Sequence, residues 1–307
     1  MIWQNLQSGI SQVLAHKRMI VVFFLANLFF GFLIILPLRA MLKNFIGDST
    51  LGAALGGNLD MDFLFDFFQH NDQAMPTLWA MIFLVPLVNW LFTLFLSGGA
   101  LSIFAAGEGY TPASFWGNAA KYFGRFLRLA LWSLPALALL FCLQFLASGF
   151  ERVIFGKGPY QNIVYWNGWI KVGLRAIGFL LFGMILDYAR IYTVRTDERR
   201  MLNALKQGIK FVWGNFLQTF GLALLLLAIG VVALLIYNPL ANSLSAPNAL
   251  IVFMLFAVQQ IYMIFRMIIR LTTYSSQLHL YRELAASPVT MPATEALDIS
   301  GLTPATE

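Results

Sequence analysis

The stretch DYARIYTVRTDERRMLNALKQGIKFVWGNF, Asp187 to Phe216, joins two long apolar segments and carries the densest group of charges in the sequence. Both flanking segments have the length of about 20 residues that a helix needs to cross the hydrocarbon core of a bilayer. Between them, Leu205–Asn215 has apolar residues at helical spacing, which predicts an amphipathic helix. The stretch therefore predicts two membrane spans joined by an amphipathic helix.

The composition is that of an integral membrane protein. Of the 307 residues, 59% are hydrophobic and only 11% are charged, whereas a soluble domain has about 25% charged residues. Lipid offers the backbone no hydrogen-bond partners, so only helices and closed barrels can span a membrane. The alternating runs of about ten residues that mark barrel strands are absent. The sequence therefore predicts an all-α fold, a polytopic bundle of transmembrane helices.

The apolar runs predict six spans, at about residues 19–38, 79–100, 127–146, 170–192, 216–237 and 249–270. Residues 2–15 predict a further amphipathic helix at the interface. Residues 61–68, MDFLFDFF, are too short to span and are predicted to lie at the membrane surface. Residues 1–285 form the predicted membrane domain. Residues 286–307 are rich in Pro, Thr and Ala, which predicts a disordered cytoplasmic tail.

The distribution of Lys and Arg predicts the orientation of the bundle. Fourteen of these residues flank the span ends on the side of the two termini, and six flank the opposite ends. Because an excess of basic residues marks the cytoplasmic side, both termini are predicted to be cytoplasmic. The net charge of +6 comes from these scattered flanking residues, so no nucleic-acid partner is expected.

An internal repeat is visible in the amphipathic segments. LQSGISQVLAH at Leu6–His16 and LKQGIKFVWGN at Leu205–Asn215 share Leu, Gly, Ile and Val at the same places, and FWGNAAKYFGRFL at Phe115–Leu127 matches more weakly, with its Gly124 aligned to Gly214. Each copy leads into an odd-numbered span, which predicts three units of amphipathic helix, span, outer loop and span. Chance similarity among short amphipathic helices is the alternative. Such units would be parallel, unlike the inverted repeats of many alternating-access transporters.

Several short motifs accompany this architecture. They are SGGA at Ser97–Ala100, taken as a small-residue kink, DYARI at the end of the fourth span, and Ala-Leu-x-x-Gly at Ala204–Gly208. With six spans and cytoplasmic amphipathic helices, the chain resembles a broad group of bacterial six-helix membrane proteins, which includes the membrane domain fused to some glycerophosphodiester phosphodiesterases. The resemblance implies a bacterial inner-membrane protein and supplies no catalytic residues. The 307 residues contain no phosphodiesterase domain, so that activity does not carry over.

Asp187 and Arg190 are candidate site residues at the end of the fourth span. They are three residues apart and lie on one face of a helix. An ionisable group this close to the hydrocarbon suggests a functional role. The alternative is an anchor, in which Asp187 pairs with Arg190, or with Arg266 or Arg270 across the bundle, and fixes the contacts between helices.

Arg266, Arg270 and Asn89 are the remaining candidates. Arg266 and Arg270 are four residues apart on the sixth helix, where they could reach anionic lipid head groups or act only as positive-inside anchors. Asn89 lies within the second span. Such a buried polar residue lines a path through the bundle or, more often, forms hydrogen bonds between helices.

The sequence has no motif of a known catalytic site. It lacks a phosphate-binding Gly-Lys-Ser/Thr loop, HExxH, CxxC and GxSxG, so we expect no enzyme activity, no cofactor and no metal. The first hypothesis is a protein that binds, moves or organises membrane lipids or amphiphiles in envelope homeostasis. The second is a scaffold or subunit of a larger complex of membrane proteins. The third, a small-solute transporter, is disfavoured by the parallel repeat and the few charges within the spans.

Overall fold

A computed structural model of the protein describes residues 1–47, 61–107, 109–155, 160–243 and 249–286. Every regular element in these ranges is helical, which confirms the all-α fold class. The described ranges contain nine α-helices and a short 3-10 turn, Asp72–Ala74. These helices are α1 Ile2–Ala15, α2 Lys17–Ile46, α3 Met61–His70, α4 Met75–Ala106, α5 Pro112–Phe155, α6 Gln161–Thr196, α7 Met201–Gly214, α8 Phe216–Ser243 and α9 Ala249–Ala286.

The six predicted spans are confirmed as helices. α2, α4, α5, α6, α8 and α9 are long and apolar enough to cross a membrane. Each helix extends beyond its predicted span, and the extension is longest in α5, Pro112–Phe155. α9 continues past residue 270 to Ala286, close to Leu284, where the helical pattern of the sequence is predicted to end. The predicted tail begins at Ala286, and the rest of it lies outside the described residues.

Three of the six long helices form the centre of the bundle. These central helices, α4, α6 and α9, all contact one another. Each outer helix lies beside two of them: α2 contacts α9 and α4, α5 contacts α4 and α6, and α8 contacts α6 and α9. The second, fourth and sixth spans are thus central, and the first, third and fifth are peripheral.

Each central helix also packs against the amphipathic segment that starts another unit. α4 packs against α5, α6 against α7, and α9 against α1. The last contact closes the ring, because α1 begins the first unit and α9 ends the third. This cyclic order supports the predicted repeat. The end of the bundle formed by α1, α7 and the first turns of α5 is called the packed end below.

Glycine allows close approach at each of these contacts. A Cβ atom added to Gly9 would lie 2.9 Å from the backbone nitrogen of Ser276, and one added to Gly208 would lie 3.0 Å from the backbone of α6. A Cβ atom on Gly99 would lie 2.7 Å from the carbonyl oxygen of Phe115. Helix backbones can approach this closely only where side chains are small. Gly99 belongs to SGGA, so this motif provides a helix contact within the continuous α4.

The second amphipathic segment differs from the other two. His16 follows the end of α1 and Asn215 follows the end of α7. Their backbone angles are similar, φ −108° and ψ 47° for His16 and φ −126° and ψ 38° for Asn215. No such break follows Phe115–Leu127, which is continuous with the third span in α5. Ala119 of α5 lies beside Gly98 of α4, as Gly208 of α7 lies beside Ala189 of α6. The contacts therefore pair Gly208 with Ala119, one residue away from the register that aligns Gly124 with Gly214.

The apolar core lies mainly at the packed end. Its largest cluster takes residues from the start of α2, such as Phe23, from the end of α4, such as Phe104, and from the last third of α6, such as Tyr188. α1 contributes Leu6 and Val13 to it, and its buried face therefore packs against protein instead of lying on lipid as expected. Farther from the packed end, most large apolar side chains are exposed, as lipid-facing side chains are.

The opposite end of the bundle contains a smaller cluster. Phe67 of α3 packs there with Met75 and Leu78 of α4, and the ring centroids of Phe45 and Phe67 are 5.5 Å apart. The segment MDFLFDFF, predicted to lie at the membrane surface, is therefore a helix that packs against the end of α2.

Candidate functional site

A cavity of about 740 Å³ lies between α6, α8 and α9. It is open on one side rather than enclosed. One wall consists of apolar and small residues of α8 between Ala223 and Leu234. The polar lining is concentrated toward the packed end, where Asp187 of α6 lies near Arg270 and Gln277 of α9. The cavity therefore combines charged residues of α6 and α9 with an apolar wall on α8.

Asp187 and Arg190 form an ion pair beside this cavity. The Arg190 guanidinium donates from Nη1 to Asp187 Oδ1 at 3.1 Å. The Asp187 side chain is only 20% exposed, and the Arg190 side chain is only 13% exposed. The guanidinium also lies over the Phe126 ring, 5.9 Å from its centroid. Asp187 is thus neutralised by its own helix, and Phe126 links the pair to α5.

Arg270 and Gln277 approach Asp187 from α9. Arg270 lies close enough for its charge to interact with the carboxylate, and the Gln277 side chain reaches the same carboxylate. Gln277 is 2% exposed, and its Oε1 has no hydrogen-bond partner among the residues that the structure describes. Burying such an acceptor unpaired costs about 1–3 kcal/mol. The amide oxygen is therefore free to accept a hydrogen bond from a bound molecule or from water.

Arg266 lies farther along the same face of α9. Arg266, Arg270, Thr273 and Gln277 all line the cavity, and their spacing of four, three and four residues is that of one helical face. Arg266 is exposed and forms no ion pair within the described ranges. Thr273 and Gln277 were not predicted as site residues, although their spacing in the sequence continues the helical face of Arg266 and Arg270.

Asn89 is separate from the other four candidates. It lies on α4, which contributes no residue to the cavity lining. Its Oδ1 is buried and has no hydrogen-bond partner in the described part of the chain. The structure thus brings together Asp187, Arg190, Arg266 and Arg270 around the cavity, and it leaves Asn89 outside this site.

The three central helices share a register at the packed end. Gly98 of α4 approaches α5, Ala189 of α6 approaches α7, and Ser276 of α9 approaches α1. When the helices are aligned at these residues, the positions one before, two after and four after are buried in all three. The alignment therefore identifies equivalent positions in the three units.

The charges of the cavity have no counterparts in the other two units. The position of Asp187 is occupied by Leu96 in α4 and by Tyr274 in α9. The position of Arg270 is occupied by Phe92 in α4 and by a glycine in α6. Each unit adopts the same packing with or without a charge at these places, so the fold itself does not require the charged residues of the cavity.

A second polar cluster holds the end of α6. Asp197 follows the helix with a left-handed φ of 51°. The buried Arg125 of α5 donates from Nη1 to Asp197 Oδ1 at 2.7 Å and to the Asp197 carbonyl oxygen at 3.1 Å. Lys121 Nζ lies 3.0 Å from the same carboxylate oxygen. The hydrogen bonds from Arg125 and then Lys121 lower the pKa of Asp197 to about 2. This cluster connects α5 to the turn before α7, and sequence spacing alone did not reveal it.

The cavity offers groups that can bind an anion or form hydrogen bonds with a ligand. Two guanidinium groups, a hydroxyl and an amide line it together with a carboxylate that is already paired. Among the described residues, no group of three His, Cys, Asp or Glu side chains could hold a metal ion. Comparison of the chain with protein-family models, with curated proteins and with solved structures finds no match.

Proposed function

We propose that this chain is a non-enzymatic integral membrane protein that binds, moves or organises lipids or other amphiphiles, and that the cavity between α6, α8 and α9 is the binding site. The single observation that carries the proposal is the presence of charged side chains and an apolar wall within one open cavity. An amphiphile has the same two parts. Its head group would bind Arg266 and Arg270, and its chain would lie along α8.

The charges favour an anionic head group. Arg190 already neutralises Asp187 at 3.1 Å, which leaves Arg266 and Arg270 as the uncompensated charges of the lining. Guanidinium groups match the geometry of phosphate and carboxylate oxygens. Gln277 adds an acceptor for a hydroxyl or ammonium group of the head.

The dimensions fit one leaflet of a bilayer. The α8 wall from Ala223 to Leu234 is about 16 Å long at the rise of an α-helix. Half of a hydrocarbon core is about 15 Å. The open side gives a molecule in the bilayer a lateral route to the cavity. The excess of basic residues at the packed end favours the cytoplasmic leaflet as the source. The resemblance to bacterial six-helix proteins favours the inner membrane, where this role would serve envelope homeostasis.

Native mass spectrometry of the purified protein tests the proposal. Wild-type protein is expected to retain one anionic lipid or amphiphile per chain, and Arg266→Gln/Arg270→Gln is expected to lose it. Lys17→Gln/Arg18→Gln is the matched control, because it removes two basic residues from the start of α2, outside the cavity. Equal retention by all three proteins would overturn the proposal.

A scaffold within a larger membrane complex is the second candidate function. Large exposed aromatic side chains on the amphipathic helices favour it, namely Trp3 of α1 and Trp213 of α7, which are 60% and 74% exposed. Crosslinking in native membranes followed by purification separates the two functions. A protein partner recovered in a fixed ratio would support the scaffold, and copurified lipid alone would support lipid binding.

A further inference from the structure

A second concave surface lies where α5 meets the start of α7. It is a hollow of about 420 Å³, separate from the cavity between α6, α8 and α9. Four cationic side chains line it, from α5, from the turn after α6 and from α7. They are Arg128, Arg199, Arg200 and Lys206, accompanied by Trp132 and Leu202. This basic hollow concentrates positive charge from three parts of the chain.

The acidic residues nearest the basic hollow are occupied by other groups. Asp197 binds Arg125 and Lys121, at 2.7 and 3.0 Å. Glu198 accepts the backbone N–H groups of Arg199 and Arg200, both at 2.9 Å. Its second oxygen accepts a hydrogen bond from the Asn203 amide at 3.0 Å. These hydrogen bonds lower the pKa of Glu198, and the bond from the Arg200 backbone has the largest effect.

The four cations of the basic hollow therefore remain available. None of them forms an ion pair with a carboxylate in the described ranges of the chain. Arg128 donates only its Nε to the Gly124 carbonyl, at 3.1 Å. The hollow also lies at the start of α7, where the helix dipole favours an anion.

The basic hollow lies at the boundary between polar and apolar surface. Trp132 is 53% exposed and follows Arg128 by one helical turn, at the entry of α5 into its apolar span. Leu131 beside it is 55% exposed. Tryptophan at such a boundary is typical of the interface between lipid head groups and hydrocarbon. An anion bound here would thus lie at head-group depth.

The repeat distinguishes this hollow from general positive charge at the membrane surface. In the register that aligns Gly9 with Gly208, Lys206 corresponds to Gln7 of α1. In the register that places Gly208 beside Ala119, Arg200 corresponds to Thr111 before α5. A simple orientation signal needs basic residues at a span end and does not require them to converge on one concavity. Here four cations from the second and third units converge on one hollow, which indicates a specific anion.

We propose that the basic hollow binds the phosphodiester head group of an anionic phospholipid. The arginine side chains hold the phosphate oxygens, Lys206 contributes a further charge, and Trp132 with Leu202 contacts the adjoining glycerol and first methylene groups. This inference does not depend on the cavity, which has its own lining residues.

Titration with dioctanoyl phosphatidylglycerol in a neutral detergent tests the proposal, with the shift in Tm as the readout. All proteins carry Arg266→Gln/Arg270→Gln, so that lipid binding in the cavity does not contribute to the shift in Tm. The protein with only these two substitutions is the background protein. If the cavity binds no lipid, the two substitutions do not alter lipid binding. We expect Arg199→Gln/Arg200→Gln to bind about 30-fold more weakly than the background protein, which is about a factor of five for each cation. Glu198 accepts backbone N–H groups of these two residues, and both substitutions leave those bonds of the turn in place.

A second variant and two controls define the other outcomes. Arg128→Gln/Lys206→Gln should weaken binding by a similar factor. Lys17→Gln/Lys210→Gln removes two basic residues that do not line the basic hollow, and it should bind as the background does. Unchanged affinity in both hollow variants would overturn the proposal. Inorganic phosphate or glycerol 1-phosphate that saturated the protein at the lipid's own concentration would overturn it in favour of a soluble anion.

Discussion

Asp187 and Arg190 show how one charge pair can serve two purposes. The pair is largely buried and linked to α5 through Phe126, an arrangement that fits the anchor predicted as one of two alternatives. It also lies beside the cavity, where Arg270 of α9 approaches the same carboxylate. The equivalent residues of the first unit are Leu96 and Gly99, so the packing tolerates the absence of the pair.

Single and paired substitutions separate these two roles. Asp187→Ala should destabilise the protein by about 3 kcal/mol, because it leaves Arg190 unpaired in a mostly buried place. Asp187→Leu/Arg190→Gln introduces the kinds of residue that the other units carry and should recover most of that loss. Thermal unfolding in detergent measures both changes. A single variant as stable as wild type would show that the pair is no anchor.

The Arg125 cluster predicts a dependence of stability on pH. The pKa of Asp197 is lowered from 3.8 to about 2, so its ionised form is favoured by folding. The resulting stability is present above pH 3.8 and is lost as the pH falls from there toward 2. Asp197→Asn keeps a residue that tolerates the left-handed backbone. It should remove this pH dependence and lower the stability at neutral pH by about 1 kcal/mol, the usual contribution of an exposed ion pair.

The partner residue of that cluster should matter more than the carboxylate. Arg125 is buried and also binds the Asp197 carbonyl oxygen. Arg125→Ala therefore leaves a backbone acceptor unpaired, with an expected loss of about 2–3 kcal/mol. Thermal unfolding scans at neutral pH and near pH 3 compare the two variants. A pH profile of Asp197→Asn identical to that of wild type would rule out this carboxylate as the source.

At the scale of helices, the closing contacts between units depend on glycine. Gly99→Ala places a methyl group 2.7 Å from the Phe115 carbonyl oxygen, and overpacking of this kind costs about 1–3 kcal/mol. Gly173→Ala is the matched control in α6, where a Cβ atom meets nothing within 4 Å. The control should be neutral or stabilising by up to about 1 kcal/mol, because alanine favours helix. Equal Tm values for the two variants would contradict the close contact.

Helix identity could be predicted from the sequence, whereas helix neighbours could not. The apolar runs predicted six spans, and the 3.6-residue periodicity of Leu205–Asn215 predicted α7. Which helices are central depends on contacts between distant residues, such as Gly9 with Ser276, and a single sequence does not record them. Arg266 and Arg270 were predicted as site candidates. The α8 wall of their cavity was not predicted, because it too depends on contacts between distant residues.

At the scale of the molecule, the ring of three units places the start of α1 and the end of α9 at one end. Asn5 of α1 donates to Glu283 of α9 at 2.7 Å, so the first and last helices meet at the packed end. We predict that this end faces the cytoplasm, because it carries the excess of Lys and Arg. Alkaline phosphatase, which is active only after export, should be active when fused within residues 41–75 and inactive when fused after residue 286. The reverse pattern would show the opposite orientation.

The closing contact between α1 and α9 also bears on biosynthesis. Asn5 and Glu283 are 278 residues apart, and at the usual speed of a ribosome roughly 15–60 s separate their synthesis. During that interval α1 has no α9 to cover Leu6 and Val13, which are buried in the finished protein. A chain interrupted before α9 therefore keeps exposed an apolar face of α1 that the finished protein buries.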